Sequence, residues 1–277
     1  MRQRAIRNLA NLVTEKATPT RVLDAAAGGK NNFVADRNAV SRYDRAAAVS
    51  TTAARAVMRF LARVVRTLAA EGVDQFVVIG SGVPSGLPAG RQLHDVARAD
   101  PGSGWARVVY VESDPMILAN AYATIEPISD LVRVVEGDMW QVDEVLADRV
   151  LTTFIDWERP VGLLLVSAHS ITDDEHFTYV IKRLGQAASP GSYLAVLQAT
   201  LDGIPDELLP AIHDLLAVTL PGYATRSRAD LTAAMSGLDL LEPGLTWVSQ
   251  WRPDGHDSID ADCPESSGNY GAVASLN

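Results

Sequence analysis

Cysteine is almost missing from this chain. Cys263 stands alone among 277 residues, so no intramolecular disulfide can form and a cysteine-built zinc site is disfavoured. Both points fit a reducing cytosol. An excess of positive charge is missing too. The formal net charge is −10, and an acidic chain is a poor general ligand for nucleic acid, whose phosphates need clustered Lys and Arg. Arg55, Arg59, Arg63 and Arg66 do recur at helical spacing, which reads as a solvated helix face. No apolar run is long enough to cross a bilayer. Residues 1–10 carry three arginines but lead into no apolar segment, so they are not expected to be a secretory signal. Repeats and low-complexity tracts are absent. So are the G-x-S-x-G elbow of a serine hydrolase and a Walker-type lysine behind a glycine turn; Lys30 follows two glycines outside any strand-to-helix loop. A soluble cytoplasmic protein is expected, acting on neither nucleic acid nor membrane. Apolar residues make up 47% of the chain, enough for a large core.

The chain is organised around residues 75–86, Q-F-V-V-I-G-S-G-V-P-S-G. Phe76, Val77, Val78 and Ile79 form an unbroken apolar run, as in a parallel strand buried on both faces. Gly80-Ser81-Gly82 follows at once, and a glycine turn lets a nucleotide approach exposed backbone N–H groups. A second strand over 107–111 ends in Glu112, Ser113 and Asp114, before Pro115. An acid at that tip is where ribose hydroxyls are held in dinucleotide-type sites.

Elsewhere, spacing predicts a helix over 4–16, ended by Thr18-Pro19-Thr20, and a strongly amphipathic helix over 51–70 with Val57, Phe60, Leu61, Val64, Val65 and Leu68 inward. Gly28-Gly29 caps a helix between them. Helices are expected over 93–98, 115–123, 178–184, 205–220 and 228–235, and strands over 131–136, 161–167, 193–197, 245–251 and 270–275. Residues 84–90 read as a proline-rich turn and 253–268 as a mobile surface loop. The alternation from 75 to about 200 argues a doubly wound parallel sheet, with an antiparallel hairpin at one edge. Residues 1–70 form a helical cap on a 71–277 domain, the two making one unit.

The glycine turn could be scored as a nicotinamide fingerprint. Pro84 and Pro88 frame a loop where that site needs a helix, and the acid lies too far downstream. A second acid favours a different ligand. Asp138, in E-G-D-M after the third strand, can accept a hydrogen bond from an exocyclic amino group, and Met139 can pack on its ring. Read singly, Asp138 is as readily a turn or cap residue. Glycine turn, ribose acid and adenine acid on three successive strand ends suit S-adenosylmethionine.

Nearly the whole chain resembles the S-adenosylmethionine-dependent methyltransferases once catalogued as DUF574, within the class I superfamily. Residues 24–37, DAAAGGKNNFVADR, are similar to the family's D-x-x-L-G-G-K-D-N-[FY]-x-x-D-R. Residues 75–82, 108–115, 160–166, 251–254 and 270–274 match further motifs. Val78 departs by standing where the family has Asp in Q-F-L-D-I-G, and Glu112 stands for an Asp. Ala27 and Asn31 replace Leu and Asp of the first signature. The resemblance implies a Rossmann-like fold, with a seven-stranded, mostly parallel sheet and a C-terminal antiparallel hairpin. It places Gly80, Ser81 and Gly82 at the amino-acid part of the donor, and Glu112, Ser113 and Asp114 at the ribose. Gly137, Asp138 and Met139 would meet the adenine, and Ser167 and Ala168 would face the sulfonium. Asn32 and Phe33 are added as a lid.

Methyl transfer from a sulfonium needs positioning and desolvation before it needs a base. His169, just after the fourth strand, is the candidate base, for an acceptor that loses a proton. Tyr43, Asp24 and Asp36 are weaker candidates, more simply read as helix surface or caps. Asp173, Asp174, Glu175 and His176 could be read as a metal cluster, but suit an acidic helix start better. The expected function is methyl transfer to a small molecule. The alternative is a non-catalytic protein that binds the donor or its product, and a nicotinamide oxidoreductase is a distant third.

Overall fold

The run at 76–79 lies within β1 (Gln75–Ile79), buried at every position. The computed structural model describes residues 12–47, 50–80, 92–99, 104–125, 129–166, 168–254 and 263–277. Three helices precede the sheet: α1 (Pro19–Ala26), α2 (Val34–Ala47) and α3 (Ser50–Ala70). After β1 come α4 (Leu93–Arg98), β2 (Arg107–Glu112), α5 (Pro115–Thr124) and β3 (Val132–Glu136). Then follow α6 (Val142–Leu146), α7 (Arg149–Phe154), β4 (Gly162–Leu165), α8 (Asp174–Ala187) and β5 (Ser192–Ala199). The chain ends with α9 (Leu209–Thr219), α10 (Arg228–Ala234), β6 (Asp239–Leu240), β7 (Thr246–Trp247) and β8 (Asn269–Leu276).

The strands lie in the order β3-β2-β1-β4-β5-β8-β6, with β7 also paired to β8. β1 to β5 are parallel, while β8 runs antiparallel to β5 and to both short strands. The strand order reverses between β1 and β4, which is where an open α/β sheet leaves a crevice beyond its carboxyl ends. The fold is the expected Rossmann-like α/β class, but the sheet has eight strands rather than seven. The strand expected over 245–251 shrinks to β7, and β6, ahead of it, was not foreseen. Glu242-Pro243-Gly244, with a cis peptide and a positive φ at Gly244, turns the chain between them. After Trp247 the chain enters a 3-10 turn, Val248–Gln250.

Alternate side chains of the strands feed two cores. Phe76, Val78, Val108 and Leu164 point toward α3, α4 and α5, and Val77, Ile79, Val109 and Leu165 point toward α6, α7, α8 and α10. All six inward residues foreseen for α3 are buried, so this helix of the prologue is also the main cover of one sheet face. Its approach requires glycine in the strand beneath: a Cβ at Gly271 would lie 2.6 Å from Phe60. Arg63 is not on a solvated face. It is buried and donates to the carbonyls of Trp251 (2.8 Å) and Val248 (2.6 Å), while Arg55 and Arg66 are exposed.

Other boundaries moved for identifiable reasons. Residues 12–16 are not helical, and the remainder of that expected helix, like the 84–90 turn, lies outside the described residues. Pro19 does not end a helix but opens α1 at its first turn. The expected cap at Gly28 is there, with φ +84. α8 starts before the expected 178–184 span, at the acidic run read as a helix start, with Asp173 accepting from the His176 N–H as its N-cap. α9 starts later, at Leu209. The short helices α6 and α7 were not foreseen; Asp148 caps the second. Within the expected 253–268 loop, residues 255–262 lie outside the described residues, and Pro264–Ser267 is a 3-10 turn with Ser267 fully buried.

Candidate active site

The carboxyl ends of β1, β2 and β3 and the turn after β4 enclose a cleft of about 290 Å³. Of the residues foreseen for a cofactor site, Gly80, Ser113, Asp114, Gly137, Asp138 and Met139 line it, and so does His169. Ser81, Gly82 and Ser167 lie outside the described residues. Gly80 adopts φ +70, a conformation that favours glycine, and its N–H donates to the Val111 carbonyl at 2.7 Å. Gly137 is glycine for packing: a Cβ there would lie 2.6 Å from Val145 and 3.0 Å from Val111.

The acids at the strand tips behave differently from one another. Glu112 is buried and does not line the cleft; its Oε1 accepts from the N–H groups of Ser113 (2.8 Å) and Asp114 (2.9 Å). Asp138 is exposed at the cleft, and its Oδ1 accepts from Trp140 N–H at 3.0 Å, leaving Oδ2 without a described partner. Met139, buried at 2%, forms the floor beside it. Asp114 is committed on both oxygens. Oδ1 caps α5 through the N–H groups of Met116 and Ile117, and Oδ2 accepts from Thr18 Oγ1 (2.8 Å) and Arg21 Nη1 (3.0 Å).

Those last two bonds show how the prologue reaches the site. Arg21 also pairs through Nε with Asp36 at 3.0 Å, and its Nη2 donates to the Lys16 and Val13 carbonyls. Asp36 is fully buried and accepts further from Thr18 N–H and Phe33 N–H. Asp24, also buried, accepts from Asn31 N–H and Asn32 Nδ2. Asp24 and Asp36 are therefore internal ties rather than surface or catalytic groups. The expected lid residues are engaged elsewhere. Asn32 uses its amide on Asp24, Gly29 and Arg37, and Phe33 lies under the Arg21 guanidinium at 5.2 Å. The prologue residues that wall the cleft are Thr18, Pro19 and Thr20. The signal for them was a proline placed to start a helix, beside the polar signature of 24–37.

A second cavity, about 180 Å³, adjoins the first. It lies between α1, α3 and α9 and the ends of β4 and β5, with Val57, Leu197, Ile212 and Leu216 among its walls. Pro19 and His169 line both chambers. Tyr43, at its α2 side, bonds Thr219 of α9 through its hydroxyl, and burial pushes its pKa up.

His169 stacks on Tyr223, with ring centroids 4.6 Å apart. Burial pushes its pKa down to about 4, so the ring is neutral at pH 7. The segment that carries it is fixed by Arg226, which sequence reasoning missed. Arg226 is buried, donates to Ile171 O (2.7 Å) and Gln198 Oε1 (3.0 Å), pairs with Asp174 (2.9 Å) and lies 4.1 Å over the Phe177 ring. The neighbouring Ala224 N–H donates to the His169 carbonyl at 2.8 Å. The acidic run before His176 is a helix start, and no group among the described residues could hold a metal ion.

Comparison with known proteins gives a consistent picture. A family model described as S-adenosyl methyltransferase matches residues 6–277. The crystal structure of a DUF574 family protein from Streptomyces avermitilis MA-4680 is similar at TM-score 0.85 and 30% identity, over 95% of this chain and 99% of that one. A candidate methyltransferase from Thermobifida fusca YX is similar at TM-score 0.81 and 27% identity, over 95% and 96% of the two chains. No curated protein gives a match.

Proposed function

Because this chain belongs to the S-adenosyl methyltransferase family, with S-adenosylmethionine as its cofactor, we propose that it methylates a small molecule held in the apolar cavity. One observation carries this reading: His169 and Pro19 line both chambers, so a donor in the cleft and an acceptor in the cavity would meet at the same wall. When bound, S-adenosylmethionine supplies a methyl carbon already activated by its sulfonium. The chain's own residues supply position and dryness.

The residues of the cleft fit such a group. Gly80 presents backbone without a side chain, and by resemblance Ser81 and Gly82 continue that cradle along the amino-acid part. Ser113, with Glu112 turned behind it, lies at the ribose end. Asp138 Oδ2 is placed to accept from the adenine amino group over the apolar surface of Met139. Ala168, expected beside the sulfonium, is instead fully buried in the core that faces α8 and lines neither chamber, so by resemblance Ser167 alone is left for that place. His169, neutral and beside the acceptor cavity, takes the proton that a hydroxyl acceptor releases. The net charge of −10 argues against a nucleic-acid acceptor. No described helix is long and apolar enough to cross a membrane. We place the reaction in the cytoplasm, where a lone cysteine is at home.

A second reading, donor binding without turnover, draws on Val78. It is fully buried beneath α3 where the family pattern carries a carboxylate. Calorimetric titration with S-adenosylmethionine and S-adenosylhomocysteine tests both readings. We expect micromolar binding, weakened about tenfold in Asp138→Ala by loss of a hydrogen bond. No binding to the unaltered protein would refute both. Donor consumption in the presence of a metabolite extract supports methyl transfer, and donor binding without consumption supports the second reading.

A further inference from the structure

The cavity is small, apolar and acidic at its rim. At about 180 Å³ it is close in size to an apolar cavity of roughly 150 Å³ that accommodates benzene. Its walls are mostly aliphatic, so a polar occupant would lose hydration without recovering it. Two polar groups break the apolar lining where it meets the cleft. The His169 and Tyr223 rings stack, and neither the imidazole nitrogens nor the Tyr223 hydroxyl hydrogen-bonds another described residue. By contrast, Tyr43 is occupied by Thr219. Among the described lining residues the charged ones are Asp202, half-buried, and Glu265, exposed, with no Lys or Arg to offset them. An anionic substituent would enter an acidic, cation-free cavity, whereas a neutral or amine-bearing one would not be opposed.

Resting on the methyl-transfer reading, we propose that the cavity takes a single-ring aromatic hydroxyl compound without an anionic group, its hydroxyl set between His169 and Tyr223. The acceptor oxygen uses a lone pair to form the new C–O bond as the C–S bond breaks, and that bond's electron pair stays on sulfur as the neutral thioether. The hydroxyl proton passes to an imidazole nitrogen of His169 and from there to water. An oxygen that is gaining a third bond is strongly acidic, so a weak base is sufficient.

Three probes that share a phenol and differ in charge test this: 4-ethylphenol, tyramine and 4-hydroxyphenylacetate, titrated into the full chain saturated with S-adenosylhomocysteine. We expect the first two to bind and the carboxylate to bind at least about tenfold more weakly. Glu265→Lys, at an exposed position, should narrow that gap. Ala54→Trp and Ile212→Trp, which fill the cavity from α3 and α9, should each abolish phenol binding and leave thioether binding intact. With S-adenosylmethionine and tyramine, mass spectrometry should find the methyl group on oxygen. Equal binding of the carboxylate, no binding of any phenol, binding that survives both tryptophan variants, or methylation of the tyramine nitrogen would each overturn the assignment. Thioether binding without phenol binding defeats this inference and leaves the methyl-transfer reading standing. Failure to bind the thioether defeats that reading, and the phenol titration alone still decides what the cavity takes.

Discussion

Arg21 Nη1 and Asp114 Oδ2 lie 3.0 Å apart with both side chains almost fully buried, joining α1 to the tip of β2 across 93 residues of sequence. Asp36 shares the same guanidinium. Removing the arginine would leave two buried carboxylates uncompensated, at a cost of about 3–5 kcal/mol. Arg21→Ala is therefore expected to lower the urea midpoint sharply. Because Thr18 to Thr20 wall the cleft, it should also weaken donor binding by calorimetry. Arg21→Lys keeps the charge but not the fork of donors and should recover only part of either loss. An unchanged midpoint in Arg21→Ala would show that these charges are not buried together.

If His169 is the base proposed above, Arg226 is expected to act on the reaction through it. Its donors hold the Ile171 carbonyl and Gln198, so it is a positioning residue. In Arg226→Lys, kcat should fall by about tenfold or more while KM for the donor changes little, since a misplaced group near the reacting atoms is costly. The split matters, because a merely looser fold would move both. Equal loss in kcat and donor KM would reject the assignment.

His169 is expected to link pH to stability and, as the proposed base, to rate. An unfolded histidine titrates near 6.5, whereas burial holds this one at about 4. Between those values the unfolded chain binds more protons than the native one, so acidification favours unfolding. The ring's contribution is full above about pH 6.5 and is lost as pH falls to about 4, worth on the order of 2–3 kcal/mol. Unfolding free energies of His169→Gln should fall less steeply across that window than those of the unaltered protein. Turnover should show an acid limb near pH 4 to 5 and be level from pH 6 to 8 as far as this group is concerned. Parallel stability curves in the two proteins would contradict the assignment.

Packing of α3 on β8 has its own test. A methyl group at Gly271 would meet Phe60 at 2.6 Å, and overpacking of this kind costs about 1–3 kcal/mol. Gly271→Ala should lower the thermal midpoint, and Phe60→Leu in the same chain should restore part of it. If the glycine variant melts with the unaltered protein, α3 does not sit so close.

Much of this was legible in the sequence because the relevant signals are local. The glycine after β1 and the acids after β2 and β3 each stand within two residues of the end of their own strand, and a parallel strand buried on both faces must read as continuous apolar sequence. The stripe of α3 was equally plain, being a matter of period alone. What escaped was long-range or too short to carry a period. Arg63 has the spacing of a surface arginine, yet it satisfies the carbonyls of a turn 185 to 188 residues away. Asp24 and Asp36 look like caps until Thr18, Arg21 and Asn32 are folded around them. The α6 segment VDEVL is five residues long, and no periodicity can be read from it. The aliphatic cavity had no signature at all, since its walls come from helices and strand ends that each present ordinary core residues.

Pro19, standing in the partition between the two chambers, has a thermodynamic consequence. Occupants that press on opposite sides of one wall can be coupled through it, and any such coupling is reciprocal. Whatever factor the donor contributes to acceptor affinity, the acceptor must return to donor affinity, because the free energy around a closed cycle is zero. A single titration of S-adenosylhomocysteine with and without a cavity ligand would thus fix the coupling in both directions.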